Sequence, residues 1–465
     1  MSRWVAWVVC LHGVAACTSD ADCSYNGNCS HTVEAGLSCV CVPQFTGAAC
    51  DVFSFAPIDV TRCTNTTIRP NDCAPNGDLK CPQPCCRTGI GYKHRDSDGQ
   101  RVSSWGGSVL YDANDGKYHM WAAEMSEHTG IKAWITNSRV VHAVADAPTS
   151  SSTSSSLPFD FVRKEVVQPV FAHEPTVARA PKGEYVMWYT TNYGEAPGSQ
   201  CGPPCTCGVN GTSCLSCPND QQCSAEPRSP MSTRMSYAYS PYGPWSIPVL
   251  VPAPTQGDTN LACVIRANAS LVCLGRPGLG MLHAPHWQNV SSYTWHIPHG
   301  VGIRGEDPMV WMRHVEQGGE VVEVLHAVTH GGGWGDPFGY HYFSTDGGFS
   351  WGGKQRKVYD NTVEFSGTRP SLILSRRERP HVVLDANGEL LALTNGVTEA
   401  WPCTLQEEPD RPPCKKPFTP GVNPQCGPGS NGTSIWCPDD YCTSQQEPNH
   451  CHAKAMIPLR HHPRV

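Results

Sequence analysis

The chain has 465 residues, a formal net charge of −7 and only 16% charged residues. That length can bury a large core, and the lack of a basic patch excludes a nucleic-acid partner. With 44 glycines, 41 prolines and 14 tryptophans and no long helical periodicity, the composition implies an all-β protein rich in turns.

Residues 1–16 read as a signal peptide: Arg3, an apolar run from Trp4 to Leu11, then Val14-Ala15-Ala16 before Cys17. The expectation is a secreted, extracellular protein. Val14-Ala15-Ala16-Cys17 also resembles a bacterial lipobox, but Cys17 is needed as the first cysteine of the next module. No other stretch is apolar for the length a spanning helix needs, so no membrane anchor is expected. The 26 cysteines lie mostly in Gly/Pro-rich segments, which implies an oxidising compartment and a disulfide framework. Cys205-Thr206-Cys207 and Cys214-Leu215-Ser216-Cys217 have spacings zinc could use, yet behind a signal peptide they read as cystines, and neither metal nor cofactor is expected. Six Asn-x-Ser/Thr sequons, at Asn28, Asn65, Asn210, Asn268, Asn289 and Asn431, suit a glycosylating secretory route.

In residues 17–51, the spacing of Cys17, Cys23, Cys29, Cys39, Cys41 and Cys50 and the ending Phe45-Thr46-Gly47-Ala48-Ala49-Cys50 resemble an EGF-like module. The resemblance implies the disulfides Cys17 to Cys29, Cys23 to Cys39 and Cys41 to Cys50. Such a segment is too short to bury a core alone, so crosslinks hold it. No acidic calcium-binding signature precedes Cys17, and the module reads as a spacer, with a contact to protein or glycan as the other reading. Residues 52–103 follow as a cystine-rich linker, extended from Asp51 to Asp59 and a candidate brace for the next domain. It carries Cys63, Cys73, Cys81, Cys85 and Cys86.

From residue 104 one pattern recurs: a polar or glycine strand opening, a turn, and an apolar second strand. Gly106-Gly107-Ser108-Val109 precedes Tyr118-His119-Met120-Trp121; Glu174-Pro175-Thr176-Val177 precedes Tyr185-Val186-Met187-Trp188; Glu306-Asp307-Pro308-Met309 precedes Val321 to His326; Arg379-Pro380-His381-Val382 precedes Leu390-Leu391-Ala392-Leu393. Leu261-Ala262-Cys263-Val264 before Leu271-Val272 is a weaker copy. The anchors Gly106, Glu174, Leu261, Asp307 and Arg379 are 46 to 87 residues apart, room for a four-stranded sheet and its loops, so the prediction is a five-bladed β-propeller over residues 104–465. Cys263 and Cys273 flank Asn268 in a predicted hairpin and suit a cross-strand disulfide. Two cysteine-rich insertions, 195–230 and 402–452, are expected on one face. The last blade lacks an outer strand, which either the N-terminal segment supplies or the sequence omits.

Strand openings of a propeller converge on its axis, so the candidate site gathers Trp105, Ser108, His173, Glu174, Asp258, Asn260, Arg304, Glu306, Asp307, Glu378 and Arg379. The repeat pattern, with Glu306-Asp307-Pro308 similar to a Glu-Gly-Pro opening the fourth blade, resembles the five-bladed furanosidase superfamily of glycoside hydrolase families 43 and 32. The resemblance implies a hydrolase of O-glycosyl bonds in extracellular poly- or oligosaccharide. It implies Glu306 as general acid, with burial and an adjacent carboxylate raising its pKa, and a carboxylate partner. The family's first-blade aspartate is replaced by Gly106-Gly107 and its third-blade aspartate is unmatched, leaving Asp307, Glu174, Asp258 or Glu378 to take the missing role. Trp105 and Trp334 are candidates for stacking on sugar rings; His173, Arg304, Glu378 and Arg379 are candidates for binding substrate. The alternative function is a propeller that binds carbohydrate or protein without catalysis. Ser344-Thr345-Asp346-Gly347-Gly348-Phe349-Ser350-Trp351 resembles the Asp box of sialidases, a structural hairpin device. Finally, removal of Cys10 leaves 25 cysteines, an odd number, with the unpaired one expected in the cluster Cys63 to Cys86.

Overall fold

The computed structural model describes residues 17–32, 36–58, 91–92, 94–95, 101–102, 104–126, 134, 138–147, 159, 161–169, 171–191, 231–253, 259–276, 280–300, 302–331, 337–353, 356–367, 371–399 and 452–460. The two large insertions, the cluster Cys63 to Cys86, Asp258 and Trp334 lie outside them.

The described residues are nearly all β, in a propeller-like arrangement. Four antiparallel four-stranded sheets follow one another along the chain. The first is Ser104–Asp112, Lys117–Met125, Ser138–Asp146 and Val162–Gln168; the second is His173–Arg179, Tyr185–Thr191, Ser232–Ala238 and Val249–Leu250. The third is Ala262–Ile265, Leu271–Gly275, Gly280–Ala284 and Thr294–His296; the fourth is Glu306–Gln317, Glu320–His330, Gly339–Ser344 and Lys357–Tyr359. A further sheet departs from this meander. It has five strands, Thr362–Val363, Leu372–Leu384, Leu390–Glu399, His452–Pro458 and Gly91–Tyr92, with the last supplied from before the first sheet. Each sheet's inner strand packs against the inner strands of its neighbours, and Leu372–Leu384 packs back against Ser104–Asp112.

Sequence explains why the second strands sit inside. Tyr185–Thr191 is buried at every position, as a near-continuous apolar run covered on both faces must be. The hairpins before these strands turn at positive φ, with Gly116 at 69° and Gly388 at 81°, a conformation that glycine adopts without a Cβ clash. In the third sheet Cys263 and Cys273 are directly opposite and disulfide-bonded.

Polar ties fix neighbouring sheets to one another. Ser108 Oγ accepts from the Val177 amide at 2.8 Å and lies 2.9 Å from His381 Nε2, joining the first, second and fifth sheets. The His381 Nδ1–H donates to the Val382 carbonyl, so Nε2 accepts the Ser108 proton. Arg266 forms a bidentate pair with Glu323 between the third and fourth sheets. The Asp-box turn is structural: Asp346 Oδ1 accepts from Ser344 Oγ and the Ser350 amide, while buried Trp351 donates to the Gly348 carbonyl.

The N-terminal segment contains disulfides Cys17–Cys29, Cys23–Cys39 and Cys41–Cys50. It is not the spacer expected from its sequence. Cys17, Cys23, Phe45, Cys50 and Phe53 share one apolar cluster with Trp311, Val328, Val358 and Tyr359 of the fourth sheet. Crosslinks hold a small segment's shape but give it no core, so its aromatic residues bury themselves on the neighbouring sheet. Phe45 and Phe53, each 3% exposed, contribute roughly 1.5–3 kcal/mol apiece by burial. Further along, Phe55 and Ile58 bridge to Leu459 and Phe365, which ties the extended segment to the fifth sheet.

Candidate functional site

The inner strands share a local device. In four of them the register slips near the start, between Trp105 and Ser108, His173 and Thr176, Glu306 and Met309, and Glu378 and His381. Within each slip lies a residue at positive φ: Gly106 at 42°, Glu174 at 59°, Asp307 at 51° and Arg379 at 53°. A bulge residue of this kind re-aims its side chain out of the ladder. The third sheet has Asn260, at 43°, just before its inner strand. This corrects the sequence alignment, which anchored that sheet on Leu261; Leu261 is a core residue at 3% exposure. L-residues rarely occupy this region and each costs on the order of 1–2 kcal/mol there.

These five positions converge. Arg379 forms an ion pair with Glu174, and its Nε lies 3.4 Å from Asp307 Oδ2. Asn260 donates to Asp307 Oδ1 at 2.5 Å. Glycine at 106 gives the Arg379 stem its space, since a Cβ there would come within 3.2 Å of Arg379 Cδ. Arg379 therefore pairs across the axis with carboxylates of two other sheets, and not simply with its neighbour Glu378. Glu378 is 3% exposed, and its carbonyl accepts from Asn395.

His173 lies beside Glu174, with Nε2 at 3.0 Å from Glu174 Oε1 and Nδ1 at 2.7 Å from Ser138 Oγ. Since an ionised carboxylate only accepts, Nε2 carries the proton and Nδ1 accepts from Ser138. Burial first, then the Arg379 charge, hold His173 well below its ordinary pKa and neutral.

Glu306 faces two cations. Arg276 pairs with its Oε2, and His330 Nδ1 lies 3.4 Å from its Oε1 and 3.8 Å from Asp307 Oδ2. Burial works to raise the Glu306 pKa, but the His330 hydrogen bond and the Arg276 charge outweigh it and leave it lowered. This corrects the expectation of a raised pKa on Glu306. Asp307 moves the other way: burial, then the Glu306 charge, push it up to about 8. Burial would lower His330, yet its bond to Glu306 and the charges of Glu378 and Asp307 raise it to about 9.

One donor atom each from Glu306, Asp307 and His330 lie within 4.8 Å of one another, as do those of Asp112, Asp115 and His119. Two other expectations shift. Trp105, 2% exposed, lies under Gly396 as core and has no open face for a sugar. Arg304 is exposed and is fixed through its backbone, whose N–H donates to Tyr342 Oη at 2.9 Å and whose carbonyl accepts from Thr329.

His330 and Arg276 were missed by sequence reasoning. A signal for His330 existed: the Gly318-Gly319 hairpin pairs Gln317 with Glu320, and counting back through one slip sets Glu306 opposite His330. No comparable signal marks Arg276, which meets Glu306 only by the approach of the third and fourth sheets.

No protein-family model matches the chain, and no curated protein matches it. Among solved structures it is similar to a family 43 glycoside hydrolase from Bacillus licheniformis, at 11% identity over 67% of this chain and 51% of that one, TM-score 0.38. It is also similar to the exo-β-1,3-galactanase of Phanerochaete chrysosporium crystallised with β-1,3-galactotriose, at 11% identity over 66% and 59%, TM-score 0.38. A family 43 β-xylosidase/α-arabinofuranosidase from a compost metagenome is similar at 9% identity over 77% and 92%, TM-score 0.41. The chain spans about half the length of the Bacillus protein. These are distant likenesses, and the propeller-like arrangement stands on the strand order and register of the molecule itself.

Proposed function

We propose that this is a secreted, five-bladed glycoside hydrolase acting on extracellular poly- or oligosaccharide, with Glu306 and Asp307 as its working pair. The observation that carries the reading is the pair itself. Two adjacent carboxyl groups lie at the convergence of the inner strands, Glu306 between Arg276 and His330 and Asp307 buried beside Asn260. These surroundings favour the charge on Glu306 and disfavour it on Asp307, the condition that separates an acid from its partner carboxylate. Asp307 is the acid and protonates the leaving glycosidic oxygen. Glu306, kept ionised by Arg276 and His330, attacks the anomeric carbon; water then releases the sugar and returns the proton to Asp307. Oxygens of the two groups within 4.8 Å are closer than the roughly 6.5–9.5 Å that leaves room for an intervening water. The reading therefore takes retention as its stereochemical outcome. The five-blade count is supported by the contact of the last inner strand with the first. Secretion is supported by the leader-like N-terminus, the disulfides and the exposed sequons Asn28, Asn268 and Asn289.

A second reading has its own observation. Gly106 offers no carboxylate, and Arg379 neutralises Glu174 at the axis, which favours a propeller that binds carbohydrate without cleaving it. Glycan-array binding followed by product analysis, with wild type and Glu306→Gln, separates the two. Turnover by wild type with the anomeric configuration retained, lost in the variant, supports hydrolysis; binding without turnover in both selects the second reading.

A further inference from the structure

We infer that the N-terminal disulfide-bonded segment is latched to the fourth sheet through His326 and His341, and that acidification releases the latch. The two rings stack with centroids 5.3 Å apart, and His326 Nδ1 lies 3.1 Å from His341 Nε2. Both side chains are buried beneath the segment. Asn26 of the segment places its Nδ2 3.5 Å from the same His341 Nε2, and the Phe45 ring lies 5.7 Å from the His341 ring.

The amide orientation is fixed. Asn26 Nδ2 donates to the Cys50 carbonyl at 3.1 Å, and a carbonyl only accepts, so an N–H also faces His341. His341 Nε2 is thus the acceptor for two donors, Asn26 Nδ2 and His326 Nδ1, which requires His341 neutral with its proton on Nδ1. A proton added at Nε2 makes that atom a donor facing the Asn26 amide, and His326 Nδ1 can accept it only by moving its own proton to Nε2, a buried atom with no partner among the described residues. Turning the Asn26 amide to accept it would leave two carbonyl oxygens, those of Asn26 and Cys50, in opposition.

Among the described residues, none nearby takes up the charge. Trp311 stacks on His326 at 5.2 Å, and Arg313 is a like charge to a protonated His326. On the segment, Asp51 is set toward Arg356, Asp20 accepts from the Cys29 amide, and Asp22 accepts from Thr18. Tyr25, edge-on to Phe343, brings no charge. Burial holds His341 down at about 3.

The first sheet contains the same device with the opposite ends. His119 and His142 stack at 5.2 Å with nitrogens 2.9 Å apart, and their outer nitrogens reach Asp115 at 3.2 Å and Glu165 at 3.3 Å. That pair has a carboxylate at each end, although burial still holds both rings below their ordinary range, His142 at about 3. The pair under the segment has an amide donor.

The linkage has a definite sign. A histidine whose pKa is depressed when latched favours the latch above about pH 6.5 and withdraws that support as pH falls below it, by up to about tenfold per pH unit. The test is hydrogen exchange of the full chain at pH 7.5 and pH 5, corrected for intrinsic rates, read in peptides covering 41–53 and 339–344. Wild type is expected to lose protection in both peptides at pH 5. His341→Gln, which keeps an acceptor and does not titrate, is expected to lose none. Asn26→Asp supplies a carboxylate to the charged ring and is expected to reverse the trend, giving more protection at pH 5 than at pH 7.5. Equal protection of wild type at both pH values overturns the inference. So does an unchanged loss in Asn26→Asp, a readout that remains if the His341 variant fails to fold.

Discussion

The first and fourth inner strands start with the same backbone device and end with different chemistry. Both slip register after their opening residues, and both put a positive-φ residue at the axis. In the fourth strand that residue is Asp307, held by Asn260, Arg379 and His330. In the first it is Gly106, and the stem of Arg379 lies over it. Backbone geometry fixes where a side chain can reach the axis, and residue identity decides whether a carboxylate stands there or an arginine from another sheet crosses it.

The largest expected effect breaks that crossing. Arg379→Ala leaves the Glu174 carboxylate buried without its guanidinium partner, and removing one partner of a buried ion pair costs about 3–5 kcal/mol. Denaturant unfolding should show this as a lower midpoint. Arg379→Ala combined with Glu174→Gln should recover part of it, whereas equal losses in the single and double variants would mean that the Arg379–Glu174 pair contributes nothing.

Glycine replacements sharpen the contrast between strands. A Cβ at Gly305 would run into the His330 carbonyl, a backbone atom of the second strand. One at Gly106 would meet only the flexible Arg379 side chain at 3.2 Å. Gly305→Ala should therefore be the more destabilising, with Gly106→Ala costing about 1–2 kcal/mol, mainly for its positive φ. Thermal unfolding of both variants checks the order.

A smaller effect follows from titration. Asp307, raised to about 8, and His330, raised to about 9, both bind protons more tightly folded than unfolded. Their contribution is complete below the unfolded pKa values, for Asp307 about 4 and for His330 about 6.5, and declines as pH rises through 8 and 9. Thermal stability should fall between pH 7 and pH 9.5. Replacing His330 by Gln should flatten that fall; a wild-type stability constant over the range would contradict the assignment.

Much of the architecture was legible because it is periodic. Glu174, Asp307 and Arg379 each precede a proline and then an apolar run, so three axial positions could be aligned from sequence. The third could not, because Asn260 precedes Leu261 with no proline to mark it, and the alignment settled one residue late on a core leucine. Cysteine spacing likewise carried the N-terminal pairs through a resemblance, but it said nothing about what that segment would lie against. Docking depends on Asn26, Phe45 and Phe53 meeting His341, Trp311 and Val358, residues far apart in the chain with no local pattern to pair them. The protonation of Glu306 was misjudged for a related reason: its neighbour Asp307 is visible in sequence, while Arg276 and His330 reach it only through sheet packing.

The most direct measurement is the pH dependence of kcat/KM on a glycan turned over by the wild-type protein. If Asp307 is the acid and Glu306 its ionised partner, activity falls on the alkaline side with an apparent pKa near 8, and Asp307→Asn abolishes turnover of substrates with poor leaving groups while sparing activated ones. Turnover that stays level through pH 9.5, or survives Asp307→Asn unchanged, would contradict the assignment.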